Sequence, residues 1–293
     1  MIAILGGFGA ALCWAAATMG SARSARSIGS WSTLAWVMMV GLAVTIPTLL
    51  VTGGHVVLGS EQLAYLALSG VANVAGLLLG YTALRRGKVA VVAPIVSTEG
   101  AIGALIAMAA GEPVAAGATV VLAVIVVGIV LATTERKGAP ANPPGPGEAP
   151  PASGASPVVT AVIAVAAATC FGVNLFAGAR IASDLPVAWA ILPPRLLGTI
   201  GVALPLLVSR RLRLNRTAAP FVLLVGLVEV IGTASFALGS REGIAIASVT
   251  SSQFGALAAV AAWVLFRERL SRLQIVGVAT IAAGVAVLSA LTA

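Results

Sequence analysis

The sequence predicts an all-α polytopic membrane protein in which ten transmembrane helices form two inverted five-helix repeats. Three observations predict it. The 293 residues are 59% hydrophobic and 9% charged, with a mean hydropathy of +1.08, whereas a soluble domain carries about 25% charged residues. Ten apolar runs each approach the roughly twenty residues that a helix needs to cross about 30 Å of hydrocarbon. A proline-rich segment divides those runs five and five.

The first run, 2–20, follows Met1 without a basic leader, so it reads as a permanent span rather than a cleaved signal peptide. The next four fall at 32–52, 62–83, 89–110 and 114–133. Residues 135–157, ERKGAPANPPGPGEAPPASGASP, hold seven of the fifteen prolines together with Gly, Ala and Ser, the composition of a flexible solvated linker. The last five runs lie at 158–179, 186–208, 217–238, 243–266 and 272–291. This sets a first repeat at 1–134, a linker at 135–157 and a second repeat at 158–293. Five is an odd number of crossings, so the second repeat enters the membrane in the opposite sense. No period-two alternation marks a barrel, and the edge amides of an open sheet would be unsatisfied in lipid, so the spans are helices.

A gapless shift of 156 residues pairs Gly70 with Gly226, Gly76 with Gly232, Arg85 with Arg241, Gly87 with Gly243, Glu112 with Glu268 and Gly128 with Gly284. Matches at turn and close-packing residues point to internal duplication more than matches at interchangeable Leu or Val would. Within the third span, Gly76 and Gly80 form a small-xxx-small pair that lets another backbone approach.

The net charge of +8 does not point to nucleic acid, because the basic residues lie in short clusters between apolar runs with no polar domain to dock a duplex. Fourteen of them follow the odd-numbered spans, and only Arg180 and Arg241 lie on the other side. The positive-inside rule then puts the linker in the cytoplasm and both termini outside. A reporter fused at Ala293 is expected to work only outside the cytoplasm; one active only inside overturns this assignment. Arg outnumbers Lys fifteen to two, and Ala, Gly and Val dominate, which points to a GC-rich bacterial source and the cytoplasmic membrane. Cys13 and Cys170 sit in apolar runs and form neither a disulfide framework nor a metal cluster. His55, alone in an outer turn, assembles no metal site. No cofactor is expected.

Three ionisable residues lie deep in predicted spans: Glu99, Arg195 and Glu229. An unpaired charge at a helix centre costs roughly 2.5–3.5 kcal/mol on insertion scales, so such residues usually face a bundle interior or wet cavity. Two acids and one base leave a surplus negative charge if all ionise, which a proton or a cationic substrate would neutralise. Either Glu99 or Glu229 is the candidate coupling acid. A structural ion pair between Arg195 and Glu229 is the competing reading. Asn73, equivalent to Glu229 in the repeat, extends a polar site to the other half, or else makes one interhelical hydrogen bond.

Phe171-Gly172-Val173-Asn174 is similar to the aromatic-Gly-x-Asn signature of the drug/metabolite transporter superfamily, and Arg195 sits where the next helix of that family's unit often carries arginine. Gly111-Glu112-Pro113 resembles its Gly-Glu-x turn; Trp14-Ala15-Ala16-Ala17 keeps only the aromatic residue, and Arg267-Glu268-Arg269 only the acid. With the ten-span layout, the chain resembles the EamA-like members over essentially its whole length. The resemblance implies a carrier with a central cavity lined by helices one, three and four of each half. It also implies cytoplasmic termini, against the arginine count.

Tyr81, Trp14 and Asn174 are candidates for the cavity wall. In SVTSSQF, Ser248, Ser251 and Ser252 share a helical face, and Gln253 adds donors and acceptors, so these groups bind a polar solute or bond to their own backbone. Trp31, Trp36, Trp189 and Trp263 read as interfacial anchors or packing residues. Pro94, five residues before Glu99, is the hinge candidate among the prolines of the spans. There is no GxxxxGK[ST] stretch and no domain large enough for a nucleotide, so energy comes from a gradient. The expected function is secondary active export of a small organic solute by alternating access, coupled to a proton or another ion, by a monomer or homodimer in the lipid bilayer. The alternative, an intramembrane enzyme acting on lipid-linked substrates, would call for His, Asp, Ser or Arg clustered near one interface.

Overall fold

Every regular element among the described residues is a helix. The computed structural model describes residues 1–52, 56, 58–100, 102, 103, 106, 117–133, 156–242, 247, 250–266 and 270–291. Its helices are α1 (Ile2–Ile28), α2 (Ser30–Thr52), α3 (Ser60–Arg86), α4 (Val89–Val96), α5 (Ala118–Thr133), α6 (Pro157–Asp184), α7 (Val187–Val208), α8 (Ala219–Glu242), α9 (Phe254–Leu265) and α10 (Arg272–Leu291). By length and apolar character, α1, α2, α3, α6, α7 and α8 suffice to cross a membrane. Their outward faces carry residues such as Leu5, Leu50 and Val208, at 64%, 82% and 76% exposure. An apolar face of this kind is stable against lipid rather than water.

Helix ends follow local chemistry. Gly29 takes φ 85°, a left-handed conformation that glycine alone adopts freely, and this separates α1 from α2. The arginines expected in loops instead finish helices: α1 runs on to Ile28 through Arg23 and Arg26, and α3 ends on Arg85 and Arg86. A cation near a helix C-terminus meets the negative end of the dipole, so these residues extend the helix rather than end it. The fourth span departs further from its expectation as one helix over 89–110. α4 stops at Val96, Ser97 and Thr98 form a turn, and helical residues resume at Glu99. Pro94 has no N–H for the ladder, and the hydroxyls of Ser97 and Thr98 donate to the carbonyls of Pro94 (2.9 Å) and Ile95 (2.7 Å), which stabilises the break. A second turn at Ser252 and Gln253 precedes α9. In α7, Thr199–Ala203 is a π segment, and Pro205 cannot donate to the carbonyl of Gly201.

The most extensive packing joins a helix before residue 134 to one after 156: α1 to α8, α3 to α6, α5 to α10 and α4 to α9. α1 and α8 run antiparallel, since Gly6 meets Gly239, Trp14 meets Gly232, and Gly20 meets Val225. α3 and α6 also oppose one another, with Ser69 beside Asn174 and Phe171 beside Gly76. The glycines explain the approach. A methyl carbon at Gly76 would stand 2.9 Å from the Phe171 ring, and one at Gly232 would stand 2.8 Å from the Trp14 indole. Likewise Gly128 faces Ile281 while Gly284 faces Ile125, and Gly100 faces Ser252 while Gly255 faces Ser97. Within each pair of contacts the corresponding residues lie 155–157 apart in sequence: 14 and 171, 76 and 232, 125 and 281, 128 and 284, 97 and 252, 100 and 255. Small residues let backbones meet closely enough for dispersion to hold helices together without water.

Candidate functional site

Between the α1–α8 wall and the α3–α6 wall lies a cavity of about 1080 Å³, its mouth included, with α4, α7 and α9 contributing the remaining sides. Its wall is mostly apolar and aromatic. Trp14 packs against Phe236 (ring centroids 5.8 Å) and edge-on against Phe254 (6.1 Å), and Phe171 lies over Gly76 on the facing wall. Such rings present a large area of low conformational entropy to a solute.

The charged groups converge from three helices. Arg195, on α7 directly after Pro193 and Pro194, is 2% exposed. Its Nη2 donates to Glu229 Oε2 on α8 at 3.4 Å, and its Nη1 lies 3.8 Å from Met38 Sδ. Gly41 on α2 makes room for the stem, since a methyl carbon there would stand 2.8 Å from Arg195 Cδ. Glu99 reaches the cavity because the break at Ser97 and Thr98 makes it the first residue of the resumed helix, and it is 6% exposed.

Three polar atoms on this wall have no hydrogen-bond partner among the described residues: Arg195 Nε, the Tyr81 hydroxyl and Asn73 Oδ1. A buried unmade hydrogen bond costs about 1–3 kcal/mol, and since these atoms are themselves covered, a small side-chain movement in the wall would bring them to a polar ligand. Together they offer donors and an acceptor in addition to two carboxylates. Asn174 is already engaged, its Oδ1 accepting from Ser69 Oγ at 2.8 Å.

Seven of the ten residues singled out from sequence therefore line one cavity: Glu99, Glu229, Arg195, Asn73, Asn174, Tyr81 and Trp14. Ser248 lies outside the described residues. Ser252 and Gln253 form the turn before α9 and are not among the residues lining this cavity. Ser252 Oγ instead packs against Gly100. Sequence reasoning missed Ser69, Thr233, Phe236 and Phe254 on the wall. Ser69 stands one turn before Asn73 and Thr233 one turn after Glu229, so i, i+4 spacing from the polar candidates would have found both.

The two halves do not contribute equally. Asn73 and Glu229, 156 residues apart, are unlike, and Phe254 before Gly255 contrasts with Glu99 before Gly100, 155 residues earlier. Pairing Trp14 with Phe171 likewise sets Ala17 against Asn174. The charged groups Glu99, Arg195 and Glu229 therefore have no charged counterparts among these matched positions.

The model of the EamA-like transporter family matches residues 1–134 and 148–290. The chain belongs to the EamA-like transporter family. This places it in the drug/metabolite transporter superfamily of multi-pass membrane proteins. No curated protein matches the sequence. A protein of known crystal structure, 18% identical to this EamA-like chain, aligns over 97% of it and 95% of its own length with a TM-score of 0.65, and so shares its fold.

Proposed function

We propose that this EamA-like protein is a secondary active transporter that exports a small organic metabolite or drug by alternating access, coupled to protons, across the cytoplasmic membrane of a bacterium. The reading takes the chain as ten spans in two inverted five-helix units, 1–134 and 158–293. The reciprocal contacts of Gly76 with Phe171 and of Gly232 with Trp14 support that layout. One observation carries the functional reading. Two carboxylates and one guanidinium face a single aromatic cavity in the middle of the bundle, beside polar atoms that no described residue satisfies. Charges in spans are retained where they serve a transport path. Arg195 and Glu229 compensate one another, which leaves Glu99 to exchange a proton or to meet a cationic group on the cargo. The family assignment lends no support to an enzyme acting on lipid-linked substrates.

The bodies that move are not the two halves of the sequence. α1 is packed along α8, and α3 along α6, so each wall of the cavity contains one helix from each unit. Exposure of the site to alternate sides then requires the α1–α8 wall to tilt against the α3–α6 wall.

The test begins with metabolites compared inside and outside cells with and without the protein, which identifies the cargo. Purified protein in liposomes should then move that cargo against its gradient when a pH gradient is imposed. Glu99→Gln should abolish pH-driven accumulation while downhill exchange continues, because the variant binds cargo but carries no exchangeable proton. Unchanged pH-driven accumulation in Glu99→Gln removes this residue from the coupling step.

A further inference from the structure

At each end of the cavity an arginine bridges the two walls in the same geometry. At one end Arg26, in the last turn of α1, donates through Nε to the carbonyl of Leu84 (3.3 Å) and through Nη2 to that of Gly87 (2.9 Å). At the other end Arg241, in the last turn of α8, donates through Nε to Ala182 (3.3 Å) and through Nη2 to Leu185 (2.8 Å). Because α1 and α8 run antiparallel, these two last turns lie at opposite ends of the cavity.

Each arginine reaches from the α1–α8 wall to the α3–α6 wall. Each also takes the same two acceptors, the carbonyl two residues before the helix end and the first carbonyl beyond it: Leu84 and Gly87 for α3, Ala182 and Leu185 for α6. The last carbonyls of a helix have no partner in its ladder and carry its negative dipole end, so a guanidinium fork fits them. Duplication does not produce this match. The repeat pairs Arg241 with Arg85, not with Arg26. The distribution of charge adds a second line of argument. Arg23, Arg85, Arg86, Lys88 and the Arg210–Arg216 group belong to the Arg26 end, where Arg213 N bonds Ser32 Oγ and Asn215 bonds Ser27. Arg241 is one of only two basic residues on the sparse side, so the topology of the chain does not call for it.

We propose that Arg26 and Arg241 are opposing latches: release of one opens the cavity at its own end while the other holds the far end closed. Both sets of hydrogen bonds are made in this structure. The latch pair rests on the alternating-access reading above. It specifies what alternates.

The experiment uses the full chain with Cys13 and Cys170 replaced by serine. A single probe is placed on the cavity wall near each end: Ser21→Cys on α1 near Arg26, or Ala237→Cys on α8 near Arg241, both buried positions. The readout is the reaction rate with a charged, water-soluble maleimide. Arg26→Ala should raise labelling at Ser21→Cys by roughly tenfold and lower it at Ala237→Cys, the size expected when charge-assisted hydrogen bonds are lost from one of two states. Arg241→Ala should do the reverse. Lysine in place of either arginine keeps the charge without the fork and should shift labelling in the same direction by less. A rise at both probes, as from a loosened fold, or no change at either, overturns the latches. Fast labelling of both probes with both arginines intact would instead mean a path open from end to end, which overturns alternating access itself and the latches with it.

Discussion

Glu229→Ala lowers the stability of the folded protein by about 3 kcal/mol, the cost typical of removing one partner from a buried ion pair. Arg195 is 2% exposed, its Nε is already unsatisfied, and its other nearby group is the weak acceptor Met38 Sδ, so loss of the carboxylate strands a full charge. The double variant Arg195→Met/Glu229→Ala recovers most of that loss, because no unpaired charge remains. Unfolding by a denaturing detergent, followed in mixed micelles, is measured for the wild type, Glu229→Ala, Arg195→Met and the double variant. Transport separates the two readings of the pair. A double variant that is stable but inactive shows that the charges handle cargo or protons; one that is stable and active shows that the pair only docks α7 against α8. Additive effects of the two single changes would mean that the pair is not coupled at all.

A comparable loss is expected from the mildest of substitutions at two glycines. Gly6→Ala would set its methyl 2.6 Å from the carbonyl oxygen of Ser235 and 2.7 Å from Gly239 Cα, and Gly172→Ala would set one 2.9 Å from the carbonyl oxygen of Glu99. Backbone cannot rotate away as a side chain can, so each should cost about 2 kcal/mol or more. Gly172 also holds the helix that resumes at Glu99, so its variant should disturb transport even where protein survives. Gly9→Ala and Gly178→Ala are the controls. The first meets Ser235 at an ordinary 3.5 Å and the second meets nothing within 4 Å, so both should be neutral or slightly stabilised by the helix propensity of alanine, worth up to about 1 kcal/mol. Melting temperatures in detergent rank the four. Equal losses at all of them would mean that close helix approach does not govern stability here.

These positions also show how much was legible beforehand. The 156-residue shift picked out Gly76 and Gly232 as paired, but not that each lies under an aromatic residue of the opposite unit. The buried acids were visible at once, since a carboxylate within an apolar run is anomalous wherever the run docks. The Arg195–Glu229 pair stood as one reading of two residues 34 apart, and the fold brings them to 3.4 Å. Arg241 was an exception to the charge count; its bonds to Ala182 and Leu185 give it a task that no count could supply.

By itself the sequence determined that the chain lies in a membrane, where its apolar runs fall, and which buried groups are costly enough to need a purpose. Each is a property of a segment and the lipid around it, readable without knowing a neighbour. The tertiary structure alone decided which helix faces which, that Ser69 meets Asn174, that the fourth span breaks before Glu99, and that Ser252 and Gln253 are left off the cavity wall. A membrane helix is apolar on its lipid face and its packed face alike, so periodicity does not say which way it turns. Close packing across glycines chooses the rotation, and the rotation gathers the charges.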